Sequence, residues 1–295
     1  MYDLIVRNRK LNKLKVTLTV LIVIVLILTI FTITKLVKNK KVEKSKIEYN
    51  EWIEKLNEEE TKRIKEEEEK KYAKLSEEEL ERFNKIYRHQ DEKRVFFTFD
   101  EGPSYNVTPY ILDLLKQENI KATFFVLGNR VEANPAIVKR AYDEGHYIGN
   151  HGYSHKYDDI YSNVDAVINE YNQANNAIKN ALQDSKYNSL VFRFPGGSSG
   201  GKYHDLKMEA KAKLASNGIA SVDWNALTND SAGAKTKEKI MESFYSTVKN
   251  KSSIVLLMHD AGDKILTYEC LPEMIGYFRE NGYSFKSMYD IMDRR

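Results

Sequence analysis

"FFTFDEGPSYN", residues 96–106, sets two carboxylates, Asp100 and Glu101, at the end of an apolar run and follows them at once with a Gly-Pro turn. The run that leads to them, "RVFFTF", is rich in β-branched and aromatic residues and reads as a strand that stops at the acids. A helical pattern follows over about 108–118, then the strand-like "IKATFFVLG" and a helix near 135–144. The alternation continues with "HYIGN" and a helix over about 162–184, "LVFRF" and a helix over about 204–216, and "GIASVDW" and a helix over about 236–250. "SIVLLMH", a helix near 268–281 and the short run "YSFKSM" complete it. Strands alternating with amphipathic helices imply parallel pairing through βαβ crossovers. Residues 94–295 are therefore expected to form an α/β domain, a distorted (β/α) barrel of about seven strands, with an open doubly wound sheet as the competing architecture.

The strand ends share a property. The first ends in Asp100 and Glu101, the third in "NHGYSH" with His151 and His155, and the fourth in "RFPGG" with Arg193. The fifth ends in "VDWN" with Asp223 and the sixth in "LMHD" with His259. In an α/β barrel the active site is assembled at the carboxyl ends of several strands. Two histidines and an acid suit Zn²⁺ with positions left open for water, and other divalent metals accept the same donors. "HGYSH" is not the helical H-E-x-x-H of metalloproteases, since it lacks the glutamate and contains a glycine.

Taken in order, "TFDEGP", "HGYSH", "RFPGG", "DW" and "LMH" resemble the motifs of the polysaccharide deacetylase family, the NodB-homology domain of carbohydrate esterase family 4. The resemblance covers residues 94 to about 291. It implies removal of N- or O-acetyl groups from a glycan with the help of a divalent metal, most simply Zn²⁺, with Co²⁺ or Mn²⁺ as alternatives. It implies Asp100 as general base, Arg193 as the partner that orients it, and Glu101, His151 and His155 as metal ligands. His259 would be the general acid, held by Asp223; the Gly196 N–H would receive the oxyanion; Trp224 and Leu257 would line a pocket for the acetyl methyl. Three positions depart from the family pattern. Glu101 replaces an aspartate, Gly152 stands where a Ser or Thr usually follows the first histidine, and Gly196 replaces an aromatic. Asp230, in "NALTNDS", is a candidate for a supporting or substrate contact but is not assigned to the site; His89 and His146 read as structural, and His204, opening a helix, as solvent-exposed.

Upstream, the chain changes character twice. "VTLTVLIVIVLILTIFTIT", residues 16–34, carries no charge and is long enough to span a bilayer. Lysines rather than a small-residue cleavage site follow it, so it reads as an uncleaved transmembrane anchor behind a cytoplasmic tail, 1–15. Basic residues flank both ends, and the positive-inside rule gives no orientation. Residues 35–93 are dominated by Glu and Lys with many i,i+3 and i,i+4 opposite-charge pairs, either a helical spacer or a partly disordered linker. Its apolar residues, Leu75, Leu80 and Phe83 among them, are too sparse for a sustained heptad. The single cysteine, Cys270, excludes an intrachain disulfide and reads as apolar filler. A net charge of +3 and the lack of a basic, aromatic-interleaved stripe argue against nucleic acid.

The expectation is a membrane-anchored, single-pass deacetylase, its catalytic domain outside the cell and its substrate the acetylated glycan of a Gram-positive-type wall, most simply peptidoglycan. Membrane lipid is engaged only through the anchor, and no protein partner is expected. A non-catalytic glycan-binding relative and an O-acetyl esterase on the same scaffold are the competing readings.

Overall fold

The computed structural model describes residues 41–292 and 294. The expected tail 1–15 and anchor 16–34 lie outside the described residues; among those described, no helix is long and apolar enough to cross a membrane. The chain divides into two compact units at Lys71–Tyr72.

The described part of the first unit lies within one helix, Lys41–Tyr72, of 32 residues, about 48 Å at the usual rise. Ion pairs along it include Arg63–Glu60 at 2.6 Å and Lys62–Glu66 at 3.7 Å. Exposed pairs of this kind hold a helix weakly, by a few tenths of a kcal/mol each (~0.3–0.5).

The second unit is a parallel sheet with helices packed on its outer face. Its strands are β1 Arg94–Asp100, β2 Thr123–Val126, β3 Tyr147–Asn150, β4 Val191–Phe192, β5 Ala220–Ser221, β6 Ala226–Leu227, β7 Ser253–His259 and β8 Ser284–Lys286. The order is β5-β4-β3-β2-β1-β7-β6, with β8 paired to β1. β8 takes the first half of β1, at Arg94–Phe96, and β2 takes the second, at Thr98–Asp100. Among the described residues no pairing joins β5 to β6, so the seven-strand path curls without closing into a complete barrel.

Alternation along β1 sorts the side chains. Val95, Phe97 and Phe99 pack outward with residues of the surrounding helices, such as Leu112, Phe244 and Phe278. Phe96 points inward with Phe125, Val191, Val222 and Val255. Asp100 shares the parity of Phe96, which brings a carboxylate to the inner face at the end of a buried strand.

The spacer expected over 35–93 is divided at Lys71–Tyr72, and residues 72–93 belong to the second unit. Ser76 opens a new helix, Glu77–Asn84, with a capping box: its hydroxyl accepts from the Glu79 N–H, and the Glu79 carboxylate accepts from the Ser76 N–H. Leu75, Phe83 and Ile86 are all buried and join the inner core beside Phe96, Val255 and Met288. Glu79 and Arg294 form a buried two-point pair at 2.8 and 2.6 Å that ties this helix to the carboxyl terminus. Charged surface residues around these few apolar ones hide the boundary from a composition reading.

Candidate active site

Asp100 ends β1, and the next residue turns the chain with Glu101 at φ 69°. In continued extended backbone the two side chains would face opposite ways. The left-handed turn brings both acids to one cleft, at a cost of about 1 kcal/mol or more for a non-glycine residue. The Glu101 backbone is fixed by its N–H donating to the Phe125 carbonyl and by Arg130 donating to its own carbonyl.

Arg193, just past β4, is fully buried. Its guanidinium donates to Asp100 Oδ1 at 2.7 Å, Thr98 Oγ1 at 2.8 Å, the Val222 carbonyl at 3.0 Å and the Asp223 carbonyl at 2.8 Å, and lies 4.1 Å from the Phe125 ring centre. A cation with this many fixed acceptors cannot swing away, so the expected Arg193–Asp100 pair is made and rigid. Burial lifts the Asp100 carboxyl above its ordinary range, with the Arg193 charge opposing that rise.

His151 follows β3. Its Nδ1 lies 2.8 Å from the Arg193 carbonyl, an acceptor that calls for the Nδ1–H tautomer and leaves the Nε2 lone pair toward the cleft. That Nε2 is 3.7 Å from Asp100 Oδ2. His155 Nε2 is 3.6 Å from Glu101 Oε1, and the two imidazole centres are 5.4 Å apart. Burial depresses both histidines, keeping them neutral as metal ligands must be. The Glu170 carboxylate accepts from the Tyr153 and Ser154 N–H groups at 2.6 and 2.8 Å and so pins the loop between the two histidines. Among the described residues no three His, Cys, Asp or Glu groups stand as a ready coordination sphere. The donor chemistry nevertheless fits a divalent ion: a tautomer-fixed imidazole, a second neutral imidazole and a carboxylate at near-ligand spacing, since ligands of a tetrahedral Zn²⁺ are about 3.3 Å apart.

His259 ends β7 and is the register partner of Asp100 across the sheet. Its Nε2 is 3.9 Å from Glu101 Oε1. The partner expected for it, Asp223, is not there. Asp230 accepts from His259 Nδ1 at 2.8 Å, from the His259 N–H at 2.9 Å and from Thr267 Oγ1 at 2.8 Å. Burial pulls the imidazole down, but the Asp230 hydrogen bond and charge outweigh it and hold His259 above its ordinary value. Asp230 shows the reciprocal effect: burial raises its carboxyl, and the His259 hydrogen bond brings it below the usual range. Asp223 instead accepts from the Ser198 N–H at 2.9 Å and Ser198 Oγ at 2.6 Å, anchoring the "GGSSGG" loop. The two aspartates are separated by β6, a two-residue strand not resolved in the sequence reading; Asp230 stands three residues past its end. Treating "NAL" as a strand of its own would have flagged that position.

Gly196 lies in the same loop, and among the described residues its N–H makes no hydrogen bond. Trp224 is half-buried beside Gly197, 5.8 Å from the Arg193 guanidinium. Leu257 is buried on β7 with the same parity as His259, on the inner face. Asp100, Glu101, His151, His155, Arg193 and His259 thus gather at one end of the half-barrel.

The sequence profile described as polysaccharide deacetylase matches residues 87–215. A Bacillus cereus peptidoglycan-N-acetylglucosamine deacetylase is 31% identical over 211 residues, 68% of this chain and 89% of its own length. A Bacillus subtilis peptidoglycan-N-acetylmuramic acid deacetylase is 29% identical over 201 residues, 68% of this chain and 72% of its own. Among solved structures, a Streptococcus mutans CE4 esterase superposes with a TM-score of 0.63 at 30% identity, covering 72% of this chain and 92% of its own.

Proposed function

The chain belongs to the polysaccharide deacetylase family, and from that premise we propose that it hydrolyses the N-acetyl groups of hexosamines in cell-wall peptidoglycan. One observation carries the reading. A carboxylate locked by Arg193 and an imidazole locked by Asp230 end adjacent strands and face one cleft, with Glu101, His151 and His155 between them. The relatives named for peptidoglycan deacetylation support the substrate class.

Glu101, His151 and His155 would hold the divalent ion. When bound, the ion lowers the pKa of a coordinated water and polarises the acetyl carbonyl. Asp100 accepts a proton from the attacking water, its second oxygen being tied to Arg193. Water oxygen adds to the carbonyl carbon, and the negative charge that gathers on the carbonyl oxygen is met by the Gly196 N–H. The C–N bond then breaks as His259 Nε2–H gives its proton to the departing nitrogen. Asp230 keeps the imidazole protonated and aimed for this step. The products are acetate and the free amino sugar. Trp224 and Leu257 enclose the methyl group.

The anchor at 16–34 would hold the amino terminus inside and present this site to the wall outside. Mass spectrometry of muropeptides from purified peptidoglycan, after incubation with the full chain and Zn²⁺, tests the proposal. One acetyl group should be lost per modified sugar, with acetate released, and neither should occur with Asp100→Asn. Intact acetylation with wild-type protein under Zn²⁺, Co²⁺ and Mn²⁺ alike would refute it.

A further inference from the structure

The loop that carries the Gly196 N–H brings no side chain to the cleft at 196 or 197. Both glycines are left-handed, with φ 72° and 76°. A Cβ on Gly196 would lie 2.6 Å from Tyr157 Oη and 3.2 Å from Tyr157 Cζ. One on Gly197 would lie 3.0 Å from Trp224 Cη2. Two aromatic rings thus flank a bare backbone, and the ring on the histidine side, Tyr157, opens a separate short helix, Tyr157–Ile160.

Tyr157 is 42% exposed, although its ring centre is 5.5 Å from that of His155. It meets the buried Tyr161 ring edge-to-face, 5.8 Å between centres and 68° between planes, and the tilted Tyr203 ring lies 5.1 Å from Tyr161. Tyr161 donates to the Pro195 carbonyl at 2.7 Å, and Lys207, 4.6 Å from the Tyr161 ring, donates to the Gly197 carbonyl at 2.7 Å. Tyr161 therefore contacts both Tyr157 and the backbone that leads into the glycine loop. A part-exposed aromatic ring held by a buried neighbour, with its hydroxyl beside Gly196, is suited to lie against the apolar face of a sugar ring and hydrogen-bond its substituents.

The geometry points to Tyr157 as the sugar-binding wall of the cleft: its ring stacks on the pyranose that bears the acetamido group, and its hydroxyl fills the place a side chain at 196 would take. This rests on the glycan-deacetylase reading given above and adds the surface that selects a sugar over a bare acetyl group.

The test compares Tyr157→Ala and Tyr157→Phe with the parent full chain, on an N-acetylglucosamine tetramer and on p-nitrophenyl acetate, an ester with no sugar. Tyr157→Ala should raise the tetramer KM about tenfold, the scale of one lost aromatic contact. It should leave kcat within about twofold, p-nitrophenyl acetate turnover unchanged and bound zinc undiminished. Tyr157→Phe keeps the ring and should stay within about threefold of the parent KM. Tetramer affinity by calorimetry in an Asp100→Asn background, where turnover is stopped, supplies a readout independent of chemistry. If that affinity weakens with Tyr157→Ala while the parent frees no acetate, the wall stands and the deacetylase reading fails. If the parent deacetylates the tetramer and neither KM nor affinity moves, the wall is overturned. A tetramer that does not bind at all, or an equal loss on tetramer and ester with loss of zinc, also overturns it.

Discussion

Replacing Asp230 with Asn should move the alkaline limb of the rate profile toward acid. His259 Nδ1 donates to Asp230 at 2.8 Å, with both side chains buried, so the bond is charge-assisted and shielded from water. Losing the negative charge while keeping an acceptor of similar shape removes about 1.5–3 kcal/mol of preference for the protonated imidazole. At 1.36 kcal/mol per unit, that lowers the His259 pKa by about one to two units. The sign follows from the folded state: His259 is held above its ordinary value, and the general acid must carry its proton, so activity present below that pKa is lost as pH rises through it. In the variant the loss sets in about one to two units earlier, and kcat at mildly alkaline pH falls by about ten- to a hundredfold. The assay is kcat against pH on an acetylated glycan oligomer, with Asp223→Asn as the companion. Asp223 reaches the Ser198 loop rather than the imidazole, and its variant should lower activity without moving the limb. A limb that shifts in Asp223→Asn and stays put in Asp230→Asn would refute the reasoning.

Three further outcomes follow from the same contacts. Arg193→Met leaves Asp100 buried without its cation and should cost about 3–5 kcal/mol of stability, read as a lowered denaturation midpoint, along with activity. A chain begun at residue 94 lacks Leu75, Phe83 and Ile86 from the inner core, each worth about 1.5–3 kcal/mol, and should melt well below one begun at residue 73 in calorimetry. Burial raises the Glu79 carboxyl, but the Arg294 pair outweighs it and holds it below the ordinary value; the stabilisation is present above the unfolded pKa and is lost as pH falls through the folded one. Glu79→Gln should therefore be less stable than wild type at neutral pH by chemical denaturation, with the difference shrinking below about pH 4.

Much of the site was legible because strands in this fold end on the functional face. The parity of "RVFFTFD" alone sends Asp100 inward, and the spacing in "HGYSH" allows two imidazoles to share a loop. What escaped was carried by short or disguised elements. β6 is two residues long, too short to leave a periodic signal, so "VDW" reads as the strand end and Asp223 as the partner of His259, whereas the hydrogen bond is made by Asp230. The helix Glu77–Asn84 is acidic on its outer face and commits few side chains to the core, which made it look like spacer. Its capping box, Ser76 to Glu79, was a readable start signal. The left-handed backbone at Glu101 has no sequence signature, since nothing in a Glu predicts positive φ. It is nonetheless what lets adjacent acids serve one cleft.

Anomalous scattering at the zinc edge from crystals of the protein grown with Zn²⁺ tests the core of this account most directly. A single strong peak in contact with His151 Nε2, His155 Nε2 and the Glu101 carboxylate, with Asp100 and His259 on either side, is the predicted result. A peak held by other groups, or none at this cleft, would contradict it.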